Sequence, residues 1–135
     1  MYLLDTNIFL ELFLEQEKSN EVRALFNKLP VDLLKISDFS LYSIGILLFR
    51  QNKHAVFSQF MKDLSPGDLI ECVRLEAEDY LNLAECAKKF QLDFDDAYQY
   101  TLAQKFCFKI ISFDKDFDKT DSGRLLPSQM IKTIK

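Results

Sequence analysis

The chain has 135 residues, is 48% hydrophobic, and carries a net charge of −4 with a pI near 5.0. Its length fits one domain, residues 1–135, with a sizeable core, and its apolar content excludes a disordered chain. The acidic balance excludes a protein held on nucleic acid by bulk positive charge; it does not exclude a nuclease, whose metal-binding acids add to the negative count.

Thirteen Phe and no Trp predict a core built largely on phenylalanine. Only three Gly and three Pro leave little room for a flexible linker, and no repeat or low-complexity segment interrupts the chain. Cys72, Cys86 and Cys107 are odd in number and widely spaced among apolar residues. No CxxC pair or zinc spacing exists, so the expectation is buried free thiols in a reducing cytoplasm. Asp5 interrupts the first apolar run too early for a signal peptide. The longest apolar stretch, Leu41 to Phe49, is too short to span a bilayer.

In chain order, Met1 to Leu4 reads as a buried strand whose tip delivers Asp5 to a cleft. Ligands of open α/β sheets bind at the carboxyl ends of the strands. Ile8, Leu12, Phe13, Val22, Leu25, Phe26 and Leu29 then recur at helical spacing. The polar stretch 16–20 divides them into two helices, with Asn20 as a candidate N-cap and Pro30 as the stop. Val31 to Ile36 predicts a second strand. Ser37 and Asp38 are N-cap residues for a helix over 39–51 that is apolar on most faces. Such a helix is expected to be buried against the sheet or a partner.

A further helix runs from His54 to Leu64, and Ser65-Pro66-Gly67-Asp68 is a turn by composition. Leu69 to Leu75 reads as a strand. Glu76 to Phe90 is amphipathic, with Ala77, Tyr80, Leu81, Ala84, Ala87 and Phe90 on one face. The next helix begins near Phe94 or Asp95 and carries Ala97, Tyr98, Thr101, Leu102 and Lys105. Phe108 to Ser112 is a compact strand, 114–122 an acidic loop or short helix, 125–127 a final edge strand, and Met130-Ile131 a tail element. Alternating strands and helices imply a short, mostly parallel sheet covered on both faces, with four or five strands and six or seven helices.

The chemistry lies in the acids at the strand tips. Asp5 is followed by Thr6 and Asn7, a hydroxyl and an amide that can orient a carboxylate or cap the next helix. Asp93, Asp95 and Asp96 open a late helix. The helix dipole accounts for one or two of them and leaves Asp96 over, beside the small Ala97. Ser112 precedes Asp114 and Asp116 at another strand tip. Asp114, Asp116 and Asp118 mimic the start of a calcium loop. Lys119 stands where the turn glycine is needed, however, and Leu125 where the bidentate Glu belongs. An open Mg2+ or Mn2+ site with few carboxylates fits better. Lys105, Lys109, Lys115, Lys119 and Arg124 are candidates for a phosphate-binding rim. His54 lies in a polar stretch as a surface histidine. No Gly-rich phosphate loop is present.

Leu3-Leu4-Asp5-Thr6-Asn7, Asp95-Asp96-Ala97, and Ile111-Ser112-Phe113-Asp114 followed by Asp116-Phe117 together resemble the PIN-domain family. The resemblance spans essentially the whole chain. It implies a Rossmannoid three-layer α/β sandwich, and the activity of a small metal-dependent ribonuclease like the VapC toxins of toxin–antitoxin pairs. It also implies a homodimer and an antitoxin-like protein partner. By the same resemblance Asp5, Asp96 and Asp114 are metal-binding acids, Asp116 is an auxiliary acid, and Thr6, Asn7 and Ser112 are supporting groups. The implied chemistry is hydrolysis of RNA phosphodiesters by an in-line water, with the acids holding Mg2+ or Mn2+ against the phosphate.

One position departs from the family pattern. A glutamate usually stands six residues past the serine that ends the second strand; here that position is Ser43. Asp38 and Glu11 are candidate substitute acids. Loss of one acid weakens metal affinity, so a second reading stands beside the nuclease: a PIN-like binding module that cuts poorly or not at all.

Overall fold

The computed structural model describes residues 1–63 and 70–133. The turn expected at 65–68, together with Leu64 and Leu69, lies outside the described residues. Among those described, the strands are β1 (Tyr2–Leu4), β2 (Leu34–Ser37), β3 (Glu71–Val73) and β4 (Lys109–Ile111). They form one parallel sheet in the order β3-β2-β1-β4. The helices are α1 (Thr6–Phe13), α2 (Ser19–Lys28), α3 (Asp38–Arg50), α4 (His54–Asp63), α5 (Tyr80–Phe90), α6 (Phe94–Phe106) and α7 (Pro127–Thr133).

Successive strand residues point to opposite faces, and this divides the core in two. Leu4, Leu34, Ile36 and Ile111 join Ile8, Phe9, Val22, Leu25, Ile44, Leu48, Phe60 and Met130 in one cluster. Leu3 and Ile110 pack on the other face with Leu83, Tyr98, Leu102 and Phe117. Helices therefore cover both faces of the sheet, which is the expected α/β sandwich. Of the thirteen phenylalanines only Phe9, Phe60 and Phe117 are buried. Leucine and isoleucine fill most of the core, contrary to the expectation from composition.

Several expected elements shift. Val31–Leu33 is a 3-10 turn, and the strand starts only at Leu34. Lys18, not Asn20, occupies the N-cap of α2 and gives it no side-chain cap. The third strand is confined to Glu71–Val73. Leu125 makes a single parallel bridge to Ile111 rather than a strand, and Pro127 starts α7. A 3-10 turn over Ala77–Asp79 precedes α5, and Leu81 is exposed; Leu83, Cys86, Ala87 and Phe90 form the inward face. The cysteines are not buried: Cys72 and Cys107 are exposed and Cys86 is half-buried.

The helix α3 buries only one face, through Ser40, Ile44 and Leu48. Its apolar excess points outward at Tyr42, Ile46 and Phe49. Gly45 lets α4 approach closely, since a Cβ there would stand 3.2 Å from Cε1 of Phe57.

Chain order decides where the site sits. From β1 the chain steps outward through β2 to β3, then returns to place β4 on the other side of β1. The crevice beyond the β1 and β4 tips is thus a topological switch point. Asp5 and Ser112 are the residues that leave those two tips.

Candidate metal centre

Asp5 caps α1 in an extended conformation, and its Oδ1 accepts the Thr6 N–H at 2.9 Å. The same oxygen accepts from the Gln99 amide at 3.0 Å. Oδ2 accepts from the Ser112 hydroxyl at 2.6 Å and from the Asn7 amide at 3.4 Å. Four donors therefore converge on a carboxylate that is only 7% exposed. Burial raises the Asp5 pKa above the usual carboxylate range, with the hydrogen bonds pulling the other way.

Ser112 links the two strand tips. Its hydroxyl donates to Asp5 and accepts the Asp114 N–H at 2.9 Å. Asn7 spans the same gap, donating to Ser112 Oγ at 3.2 Å and accepting the Phe113 N–H at 3.3 Å. Asp114 then caps the next 3-10 turn by accepting the Asp116 N–H at 2.9 Å. The helix α6 presents Asp96 from its first turn.

Carboxylate oxygens of Asp96, Asp114 and Asp116 all lie within 4.8 Å of one another. Burial, with Asp114, Asp5 and Asp95 as negative neighbours, pushes the pKa of Asp96 up to about 8. Three hard oxygen donors that repel one another suit a hard divalent cation, which neutralises what they cannot neutralise themselves. Two of the three, Asp96 and Asp114, line a cleft of about 240 Å3 together with Asp5, Thr6, Asn7, Leu10, Phe39, Ser43 and Asp95.

The sequence-expected residues Asp5, Asp96, Asp114, Asp116, Thr6, Asn7 and Ser112 thus meet at one edge of the sheet. Asp116, expected as an auxiliary acid, lies in the tight trio with Asp96 and Asp114, whereas Asp5 directs its oxygens at four donors. Ser43 lines the cleft with a neutral hydroxyl. The two candidate substitutes for its missing charge are engaged elsewhere. Asp38 accepts from the Tyr98 hydroxyl at 2.6 Å and from the Phe39 N–H at 2.8 Å. Glu11 accepts the Lys18 N–H at 3.0 Å and lines a different pocket. Three of the rim cations also have acidic partners: Lys105 pairs with Asp79, Lys119 with Asp116 and Arg124 with Asp118. His54 is exposed, its ring 4.3 Å from that of Phe49.

Sequence reasoning missed Gln99 and Ser40. The Gln99 amide is 1% exposed and donates to both Asp5 and Ser40 Oγ, the latter at 2.7 Å. Ser40 Oγ in turn lies 2.8 Å from Thr6 Oγ1. One signal was present: Gln99 stands three residues after Asp96, on the same side of the helix.

Residues 2–123 match the family model for the PIN domain. No curated protein matches the sequence. The fold is similar to a chain of a toxin–antitoxin complex from Klebsiella pneumoniae, with a TM-score of 0.76 at 19% identity over 94% of this chain and 98% of that one. It is also similar to VapC20 of Mycobacterium tuberculosis, a sarcin–ricin loop cleaving toxin. Here the TM-score is 0.76 at 20% identity, over 94% of this chain and 100% of the other. FitAcB from Neisseria gonorrhoeae gives 0.72 at 18% identity, over 95% and 99% of the two chains. The family model covers nearly the whole chain, and these structures share its parallel-sheet fold: the chain belongs to the PIN domain family.

Proposed function

We propose that this chain is a metal-dependent ribonuclease of the VapC toxin type. The observation that carries the reading is the trio Asp96, Asp114 and Asp116, packed within 4.8 Å at the switch point of the sheet. Asp96, Asp114 and Asp116 would hold Mg2+ or Mn2+. When bound, the cation supplies Lewis acidity toward a phosphate and acidifies water. Asp5 anchors the floor of the site, fixed by Thr6, Asn7, Gln99 and Ser112. Ser112 positions the Asp114 backbone, so the two strand tips keep a fixed spacing. Asp96 gives up its proton before it can act as a ligand.

A second reading rests on Ser43. A neutral hydroxyl lines the cleft where the family pattern has a glutamate, and Asp38 and Glu11 are occupied elsewhere. That favours a PIN-like module that cuts weakly and acts through a protein partner or a bound RNA.

An apolar groove of about 570 Å3 between α3 and α4 is lined by Leu41, Tyr42, Ile46, Phe49, Phe57 and Met61, among others. It suits a second copy of the chain or the apolar face of an antitoxin-like helix. The exposed free thiols of Cys72 and Cys107 suit a reducing cytoplasm. Among the described residues no helix is long and apolar enough to cross a membrane.

The test is RNA cleavage by purified protein in Mn2+ and Mg2+, beside EDTA and the Asp5→Asn and Asp96→Asn variants. Metal-dependent cutting lost in both variants supports the nuclease. No cutting, or cutting that survives both substitutions, leaves the binding module.

A further inference from the structure

The first residue of α6, Phe94, holds its ring 57% exposed beside Asp95 and Asp96. A large apolar side chain so placed, in the run Asp93-Phe94-Asp95-Asp96, leaves more than half of its surface outside the core. Its ring lies edge-on to that of Phe39, with centroids 6.4 Å apart, and Phe39 itself lines the acidic cleft. Behind both rings stands Tyr98, 5.6 Å from Phe39 and 6.3 Å from Phe94. Tyr98 is fixed at both ends of its hydroxyl: it donates to Asp38 and accepts the Leu75 N–H at 3.0 Å. The exposed ring therefore rests on a rigid aromatic base at the lip of the cleft.

The charge distribution says what such a ledge is for. The cleft is acidic, and two of the three nearest cations that follow Asp114, Lys119 and Arg124, pair with Asp116 and Asp118. A surface indifferent to charge adds affinity next to such acids, and an aromatic face offers it to any nucleobase. A base can reach the ring only if it is out of a helical stack.

We propose that Phe94, backed by Phe39 and Tyr98, is a stacking platform for an unpaired nucleobase next to the cleaved phosphate. This rests on the nuclease reading above. Phe94 is a binding residue here and takes no part in the bond-breaking step.

The test compares wild type, Phe94→Ala and Phe94→Trp on a single-stranded oligoribonucleotide, and on copies carrying one abasic nucleotide at each position around the cut. Phe94→Ala is expected to raise KM roughly tenfold with a smaller change in kcat, the size of one lost base–aromatic stack. One abasic position should impose the same rise on wild type and add nothing to Phe94→Ala. Phe94→Trp should restore KM. Because the chain has no other tryptophan, its fluorescence should be quenched by the single strand and not by a duplex. If wild type cuts while Phe94→Ala keeps its KM within about twofold, the platform is overturned and the nuclease stands; the ring is then a protein contact. If wild type cuts nothing in any metal, the nuclease reading fails and the platform fails with it. Circular dichroism of both variants checks the fold, which the exposure of Phe94 leaves intact.

Discussion

The Ser112 hydroxyl donates to Asp5 at 2.6 Å and so joins residues that are 107 positions apart in the chain. Asp5 is buried, so the bond is formed where water cannot replace it. Ser112→Ala should destabilise the fold by about 1–3 kcal/mol, because one oxygen of a buried carboxylate loses its shortest partner. It should also lower RNA cleavage by roughly 10–100-fold, the usual effect of losing a group that orients a ligand. Urea denaturation and kcat/KM measure the two effects. A variant as stable and as active as wild type refutes the linking role.

The acids set a pH dependence of unusual sign. The pKa of Asp96 is raised to about 8, by burial first and its acidic neighbours second, and that of Asp5 is raised by burial. Both bind protons more tightly in the folded than in the unfolded chain. Their contribution to stability is therefore fully present below the unfolded carboxylate pKa, near 4, and is lost as pH rises, for Asp96 toward about 8. In EDTA, Tm should fall across that window. Added Mn2+ should reverse the fall at the alkaline end, since the ion replaces the proton. Thermal melts from pH 5 to 8 settle the matter. A flat profile, or one that Asp96→Asn leaves unchanged, speaks against it.

Gln99 is the donor shared by Asp5 and Ser40. Gln99→Met keeps the volume and removes both bonds, so a loss of about 1–3 kcal/mol is expected. Gln99→Glu adds charge beside a buried acid. It should cost more at neutral pH and recover as the pH is lowered. Equal urea midpoints for the two variants at pH 7 would contradict this.

Ser43 offers a gain-of-function test. Ser43→Glu places a carboxylate on the cleft wall, and metal affinity rises with the charge of the ligand set. Calorimetric titration with Mn2+ should show binding tighter by about an order of magnitude, together with faster cutting of RNA. Unaltered affinity would mean that the side chain at this position does not reach the ion.

The outward apolar face of α3 predicts association. Wild type should run as a dimer by size-exclusion with light scattering, and Ile46→Glu as a monomer of unchanged fold. A clean wild-type monomer at tens of micromolar removes the dimer and leaves the groove to a protein of another kind.

The strand tips were legible because a carboxylate directly after an apolar run is a conflict that a site explains. Asp5 and Asp114 carried that signal, and Asp96 stood out as one acid more than a helix start needs. Gln99 and Ser40 carried less: polar residues in apolar helices usually face solvent, and the partners that satisfy these two come from other elements. Asp38 looked free in one dimension, but Tyr98, sixty positions later, engages it. Leu81 and Leu83 both suit the pattern of α5, and only the position of α6 decides that Leu83 turns inward. Val31 to Leu33 has strand composition, yet it coils into a turn directly after Pro30. The cysteines were misread because apolar neighbours in sequence did not bury them.

Because β1 lies between β2 and β4, one edge of β1 stays open until a strand from far along the chain docks against it. Asp96, Asp114 and Asp116 lie just before and just after that strand, and long-range pairing of this kind is slow. The acidic trio is therefore among the last features that the folding chain completes, and a partly folded chain has no assembled set of acids to offer an ion.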